Sequence, residues 1–142
     1  MKNWLCWKGL VLGLVVVAAA AGCGSKKIAQ VRGTVRVAGA PVKGGVLIFG
    51  PVGDGKVGRP ASATINPDGS FTLGTDRVGD GALIGRHHVV FTPPPQQLTE
   101  QQRSDPNFIA PPPEYFGMIP KEAEVEVKVG QNTVEIELMP QP

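Results

Sequence analysis

From Ala123 to Leu138, apolar and charged residues alternate almost without a break. Every second side chain is apolar in Ala123-Glu124-Val125-Glu126-Val127-Lys128-Val129, and again in Thr133-Val134-Glu135-Ile136-Glu137-Leu138. Successive side chains of a strand point to opposite faces, so a period of two marks strands with one face buried. Gly130-Gln131-Asn132 between them reads as a turn, and the two strands are expected to form a hairpin. Opposing Val129 and Val134 sets Lys128 across from Glu135 and Glu126 across from Glu137. It also turns all the valines, Ile136 and Leu138 toward the core. A slip of one residue would bury glutamates, which ties the register down.

The same signal recurs upstream. Val31, Val35 and Val37 share one face of a strand whose other face carries Arg32, Thr34 and Arg36. Ala38–Gly44 reads as a turn, Val46–Phe49 as a short apolar strand, and Gly50–Pro60, with four glycines and two prolines, as a loop. Ala61, Ala63 and Ile65 are in phase. Asn66-Pro67-Asp68-Gly69 is a strong turn signal, and Ser70–Leu73 is expected to return from it as a second hairpin with Phe71 and Leu73 inward. Arg86–Thr92 makes a further strand after the glycine-rich 79–85 stretch. Nineteen glycines and fourteen prolines among 142 residues suit short strands and tight turns rather than a helical bundle. These readings add up to an all-β, seven-stranded β-sandwich over residues 29–142.

One stretch breaks the pattern. Residues 93–121 are bracketed by two triple prolines, 93–95 and 111–113, and only Thr99–Arg103 offers a helical turn, with Thr99 as its cap. So long an irregular loop is usually either functional or mobile.

The N-terminus is of another kind. Residues 1–8 carry Lys2 and Lys8, and residues 9–22 are uncharged, apolar and end in small residues. That is the three-part form of a secretory signal peptide, and its 14-residue apolar run is short for a bilayer span. Ala20-Ala21-Gly22-Cys23 resembles the bacterial lipobox, in which the cysteine becomes the acylated first residue, although Ala20 stands where that pattern prefers leucine. The resemblance implies lipidation of Cys23, a short polar tether over 23–28, and a membrane partner reached through the anchor. The location is then the cell envelope, on the periplasmic side. Gly24 is not the aspartate associated with inner-membrane retention, which leaves the outer membrane open. An ordinary signal peptide or an uncleaved anchor, with Cys23 incidental, is the other reading.

Without Lys2 and Lys8, twelve basic and twelve acidic side chains remain. Phosphate recognition needs a basic excess, so no nucleic-acid partner is expected. Beyond the leader the chain has no cysteine, which excludes disulfides and thiolate metal sites from the domain.

The order of motifs resembles the carboxypeptidase regulatory-like (transthyretin-like) domain of small bacterial lipoproteins. The matching pieces are Val31-Arg32-Gly33-Thr34-Val35, Gly39-Ala40-Pro41-Val42-Lys43-Gly44-Gly45-Val46, and Asn66-Pro67-Asp68-Gly69-Ser70-Phe71. They continue with Gly85-Arg86-His87-His88-Val89-Val90, Pro113-Glu114-Tyr115 and Val125–Leu138, so nearly all of the chain after Cys23 is covered. The resemblance implies a Greek-key sandwich and a non-enzymatic role. In the carboxypeptidases the domain accompanies a separate zinc catalytic domain, which has no counterpart here. His87 departs from the pattern, since the family commonly has a tyrosine there; either ring can pack and donate a hydrogen bond.

Chemistry-bearing constellations are few. His87 and His88 are neighbours on a strand and point to opposite faces, so they cannot jointly hold an ion; one packed and one solvated histidine is the plain reading. No metalloprotease, phosphate-cradling or nucleophile-elbow motif occurs, so no catalytic residue, metal site or cofactor is expected. Two surfaces are the candidates for interaction. Phe108, Tyr115 and Phe116, in or beside the proline-rich loop, form either a contact patch or a cap over the open end of the sandwich. Glu124, Glu126 and Glu137 belong to an acidic ladder, offset by Arg32 and Arg36, by a divalent cation or by a basic partner. The expected function is a structural or protein-interaction module of the envelope. A glycan-binding module is the alternative, and a transthyretin-like hydrolase using His87 is a third.

Overall fold

The computed structural model describes residues 27–53 and 58–142; the leader and Cys23 lie outside the described residues. In chain order the elements are β1 (Ile28–Val37), β2 (Ala40–Pro41), β3 (Val46–Pro51), β4 (Ala61–Thr64), β5 (Ser70–Thr72), β6 (Ala82–Leu83) and β7 (Gly85–Thr92). Then follow α1 (Glu100–Ser104), β8 (Met118–Pro120), β9 (Glu124–Val127) and β10 (Gln131–Pro140). The protein is all-β, with two sheets. One runs β2-β1-β10-β8, with β5 and β6 also paired to β1; the other runs β4-β3-β7-β9.

Side-chain alternation puts the core between them. Val31 and Val35 of β1, Leu47 and Phe49 of β3, Ala61 and Ala63 of β4, Phe71 of β5, and Val89 and Phe91 of β7 are buried together. Ile136 and Leu138 of β10 close the layer. Phe49 and Phe71, one from each sheet, are fully buried with ring centroids 6.3 Å apart. Each contributes on the order of 2–3 kcal/mol through burial.

The first and last strands pair in parallel, from Gln30 with Gln131 to Val37 with Leu138. On its other edge β1 is covered in turn by β6 at Ile28–Ala29, β5 at Arg32–Thr34 and β2 at Arg36–Val37. Gly33 sits at the tightest point: a Cβ there would lie 1.8 Å from the carbonyl oxygen of Val134. No side chain fits, and glycine alone lets the two backbones meet.

Neither expected hairpin forms. β9 pairs with β7 in one sheet, setting Arg86 beside Glu126 and His88 beside Glu124, whereas β10 joins the other sheet. The turn between them is a corner, closed by the Asn132 side chain. Its Oδ1 accepts from Lys128 N–H at 2.9 Å, and its Nδ2 donates to the carbonyls of Lys128 at 2.8 Å and Gln30 at 3.2 Å. That amide occupies the backbone groups of Lys128 that a hairpin partner would take, and Val129, expected inside, is 80% exposed. The turn at 66–69 is likewise a corner. β4 pairs with β3 and β5 with β1, so that what remains of the hairpin is an isolated bridge between Ser62 and Gly74 and a 2.8 Å bond from Asn66 N–H to the Ser70 carbonyl at the turn.

Among the described residues there are ten strands rather than seven, because the short β2, β6 and β8 fill edges that the periodicity does not reveal. The first strand begins at Ile28, inside the expected tether. The 93–121 stretch contains the expected helical turn, with a capping box between Thr99 and Gln102, and also β8.

Between β5 and β6 the Asp80 carboxylate accepts backbone N–H bonds from Thr75 at 2.6 Å, Arg77 at 3.0 Å and Asp76 at 3.1 Å. The Thr75 bond, with those of Arg77 and Asp76, holds its carboxyl below the usual aspartate value despite some burial. A depressed folded-state value means that this stabilisation is complete above the unfolded-state pKa and disappears as pH falls through the folded one.

Two outcomes follow for stability. Gly33→Ala is expected to cost about 3 kcal/mol or more in denaturant unfolding, since backbone must move to relieve the clash. Asp80→Asn is expected to lower the melting temperature near neutral pH. Its loss on acidification to about pH 2.5 should be smaller than that of the wild type, the two curves converging where the aspartate is protonated. Parallel curves would remove Asp80 from the acid limb.

Candidate functional site

The histidines separate as their strand positions require. His87 is fully buried on the inner face of β7, with Nε2 2.6 Å from the Leu83 carbonyl, Nδ1 3.4 Å from the Phe49 carbonyl, and its ring 6.1 Å from that of Phe49. In the shorter contact Nε2 carries the proton and donates to the Leu83 carbonyl. The ring thus ties β6 and β3 to β7. His88 is exposed on the outer face. Among the described residues no group of three or more histidine, cysteine or carboxylate side chains is arranged to hold a metal ion, and no buried side-chain polar atom lacks a partner.

The acidic ladder does not exist as one surface. Glu124 and Glu126 lie on the outer face of the β7–β9 sheet, where Arg86 Nη1 stands 3.7 Å from Glu124 Oε2 and Arg86 opposes Glu126 in register. Glu137 lies on the opposite layer, beside Arg36 of β1, with Lys121 Nζ 3.2 Å from its Oε2. The like-charge pair expected between Glu126 and Glu137 is therefore absent, because β9 and β10 face solvent on opposite sides. Arg36 stands in register with Glu137, whose ion pair is with Lys121; Arg32 is opposite Thr133 and donates to Gln131 at 3.1 Å. Around Glu137 a cleft of about 260 Å³ is lined also by Arg36, Lys121, Glu122 and Glu135, three carboxylates against two cations.

The three aromatic residues of the long loop also part company. Tyr115 packs on the core, its ring edge-on to Phe91 at 6.4 Å, and its hydroxyl oxygen accepts from the Lys43 backbone N–H at 3.3 Å. Burial raises its phenol above the ordinary value. It therefore caps the sandwich, as one of the two sequence readings had it. Phe116, the next residue, is 69% exposed, Phe108 is half-buried, and Ile109 is 90% exposed.

The backbone explains the split. Tyr115 has φ +63°, a left-handed conformation that costs a non-glycine residue about 1–2 kcal/mol. It is held by Phe116 N–H donating to Pro113 O at 3.0 Å and Met118 N–H to Tyr115 O at 3.2 Å. Gly117, at φ +71°, continues the turn and is tied to Gln141. The tight reversal seats Tyr115 inward and leaves Phe116 outside. Strain of this kind persists where surrounding contacts enforce it. An unforeseen surface is a groove of about 540 Å³ between the edges of β4 and β5, lined by the hydroxyls of Ser62, Thr64, Thr72 and Thr75 with Asn66, Asp76 and Arg77. Apart from Val46 its residues come from two short runs, 62–66 and 72–79, which carry no motif that marks a site.

These elements lie at defined ends. β1 and β10 run in the same direction, so Lys27, Ile84 and the 128–131 corner share one end. Thr92, the start of the long loop, the Tyr115 turn and β8 share the other. Among the described residues no helix is long and apolar enough to cross a membrane.

No family model matches the chain, and no curated protein matches it. Among solved structures it is similar to a DUF3823 family protein from Parabacteroides merdae, with 15% identity and a TM-score of 0.48. The match covers 82% of this chain and 48% of that one, so the chain spans about half the length of this neighbour.

Proposed function

We propose that the chain is a lipid-anchored protein of the cell envelope, facing the periplasm, whose non-catalytic β-sandwich is a structural or protein-interaction module. In this reading residues 1–22 are a signal peptide, Cys23 is acylated, and the sandwich is a seven-stranded Greek-key core of the carboxypeptidase regulatory-like (transthyretin-like) type with short edge strands added. Lipoprotein modification supplies two or three acyl chains, enough for stable anchoring.

The supporting observation is the polarity of the domain. The chain enters at one end through Lys27 and Ile28, and the segment 93–117 lies at the other with Phe116 and Ile109 outward. The ten residues of β1 span about 30 Å between those ends. An anchor at Cys23 thus leaves the aromatic turn on the side away from the lipid, where an envelope partner meets it. The packed, hydrogen-bonded state of His87 favours a structural part for it over the base of a hydrolase. The exposed Phe116 ring is the feature that favours glycan binding as the second reading.

Metabolic labelling with palmitate is expected to mark the wild type and to vanish in Cys23→Ser; label retained in that variant contradicts the anchor. A pull-down of the intact lipoprotein from its own envelope is expected to capture a partner that is lost in the Phe116→Ala, Ile109→Ala double variant. Stability of that variant should change by only about 0.5 kcal/mol per site, as for surface positions generally. Binding on a glycan array that depends on Phe116 would decide for the second reading.

A further inference from the structure

We propose that the end of the sandwich where the chain enters is a bilayer-seating surface, in which Val129, Ile84 and Val52 meet the lipid interface and Lys27 and Lys128 meet anionic headgroups. The proposal rests on the lipid-anchor reading and adds to it a docked orientation of the domain.

Chain connectivity brings these residues together. Ile84 N–H donates to the Lys27 carbonyl at 3.0 Å, and Gly85, the next residue, is in register with Val127 of β9. Val129 lies two residues beyond that pair, at the tip of the corner, and Val52 is tied to Arg86 by a 2.8 Å backbone bond. Val129 is 80% exposed, Val52 39% and Ile84 36%. Elsewhere in the alternating 123–138 segment, Val125, Val127, Val134, Ile136 and Leu138 face or pack on the core. Among the valines, Ile136 and Leu138 of that segment Val129 is the one turned out, and the double clasp of Asn132 on Lys128 holds the corner in place. Single exposed apolar residues are ordinary on a soluble surface. Here three of them share one end with two lysines and with the chain entry.

Length and charge name the occupant. Cys23 precedes Lys27 by four residues, Gly24-Ser25-Lys26 lying between, so an acylated Cys23 keeps this end within about 14 Å of the headgroups. The tether carries Lys26 and Lys27 and no acidic residue. The carboxylates nearest this end on β9, Glu126 and Glu124, lie beside Arg86. The Asp80 carboxylate is turned into its own loop amides. A cationic rim around an apolar tip complements an anionic bilayer, as interfacial anchors do.

The test uses the mature acylated protein in vesicles of phosphatidylethanolamine and phosphatidylglycerol, about 3:1, with brominated acyl chains. Trp4 and Trp7 lie within the signal segment, so Val129→Trp adds a reporter at this end and Phe116→Trp one at the opposite end. After subtraction of the parental signal, emission from Val129→Trp is expected to be blue-shifted and quenched, and that from Phe116→Trp to be neither. Vesicles of phosphatidylcholine alone, or the Lys27→Glu, Lys128→Glu double variant, should weaken seating about fivefold per lysine interaction lost. Unquenched Val129→Trp in a palmitate-labelled protein overturns the seating and leaves the anchor standing. A blue shift without quenching, which reports contact with a second copy or another protein, overturns it as well. A wild type that takes no palmitate label removes both readings together.

Discussion

Strands β1 and β10 lie side by side in parallel over eight register pairs, from Gln30–Gln131 to Val37–Leu138, and the rest of the structure is arranged around that contact. It joins residues about a hundred positions apart, so the loop-closure cost is met only when the intervening strands have collapsed against them. It also makes β1 an interior strand, covered on its second edge by β6, β5 and β2. The contact depends on one missing side chain. Gly33 lets the Val134 carbonyl approach to a distance that no Cβ permits, while Val31 and Val35 on either side reach into the core.

A parallel first-to-last pairing forces the chain to change sheets, and the corners are where it does so. Asn132 performs the crossing between β9 and β10 with its side-chain amide, standing in for the backbone partner that Lys128 would have in a hairpin. At the other corner Asp68 Oδ1 accepts from both the backbone N–H and the hydroxyl of Ser70, which holds its carboxyl below the usual range, and Asn66 donates to the same hydroxyl. Short polar side chains that satisfy local backbone groups let a strand end abruptly without orphaned donors. The acidic residues gain from this arrangement: Glu124 and Glu126 find Arg86 on one layer, and Glu137 finds Arg36 and Lys121 on the other.

The two ends of the two-sheet stack then acquire different characters. One receives the chain and the Val129 corner. The other carries the Tyr115 turn, whose left-handed backbone places one aromatic ring in the core and the next in solvent. Neighbouring aromatic residues thus differ in place: Tyr115 closes the core and Phe116 stands in solvent, where the proposed role as an anchored interaction module would use it.

Alternation in the sequence by itself determined which side chain of each strand faces inward, because the β pleat sends successive residues to opposite faces whatever the partner. Val31, Val35, Phe71, Ile136 and Leu138 are inside for that reason, and His87 and His88 point apart, whereas in the uniformly apolar Val46–Phe49 only the packing chose Leu47 and Phe49 as the inward pair. The turns at 66–69 and 130–132 and the Thr99 cap were equally legible, since their residue types act locally. Only the tertiary structure decided which strands are neighbours. A half-buried strand reads the same in a hairpin and in a corner, and the choice rests on whether β10 gains more beside β9 or beside β1, a contact between distant residues. The same holds for the division of the glutamates between two layers and for the outward turn of Phe116 and Val129, which follow from long-range packing and backbone geometry that no local pattern encodes.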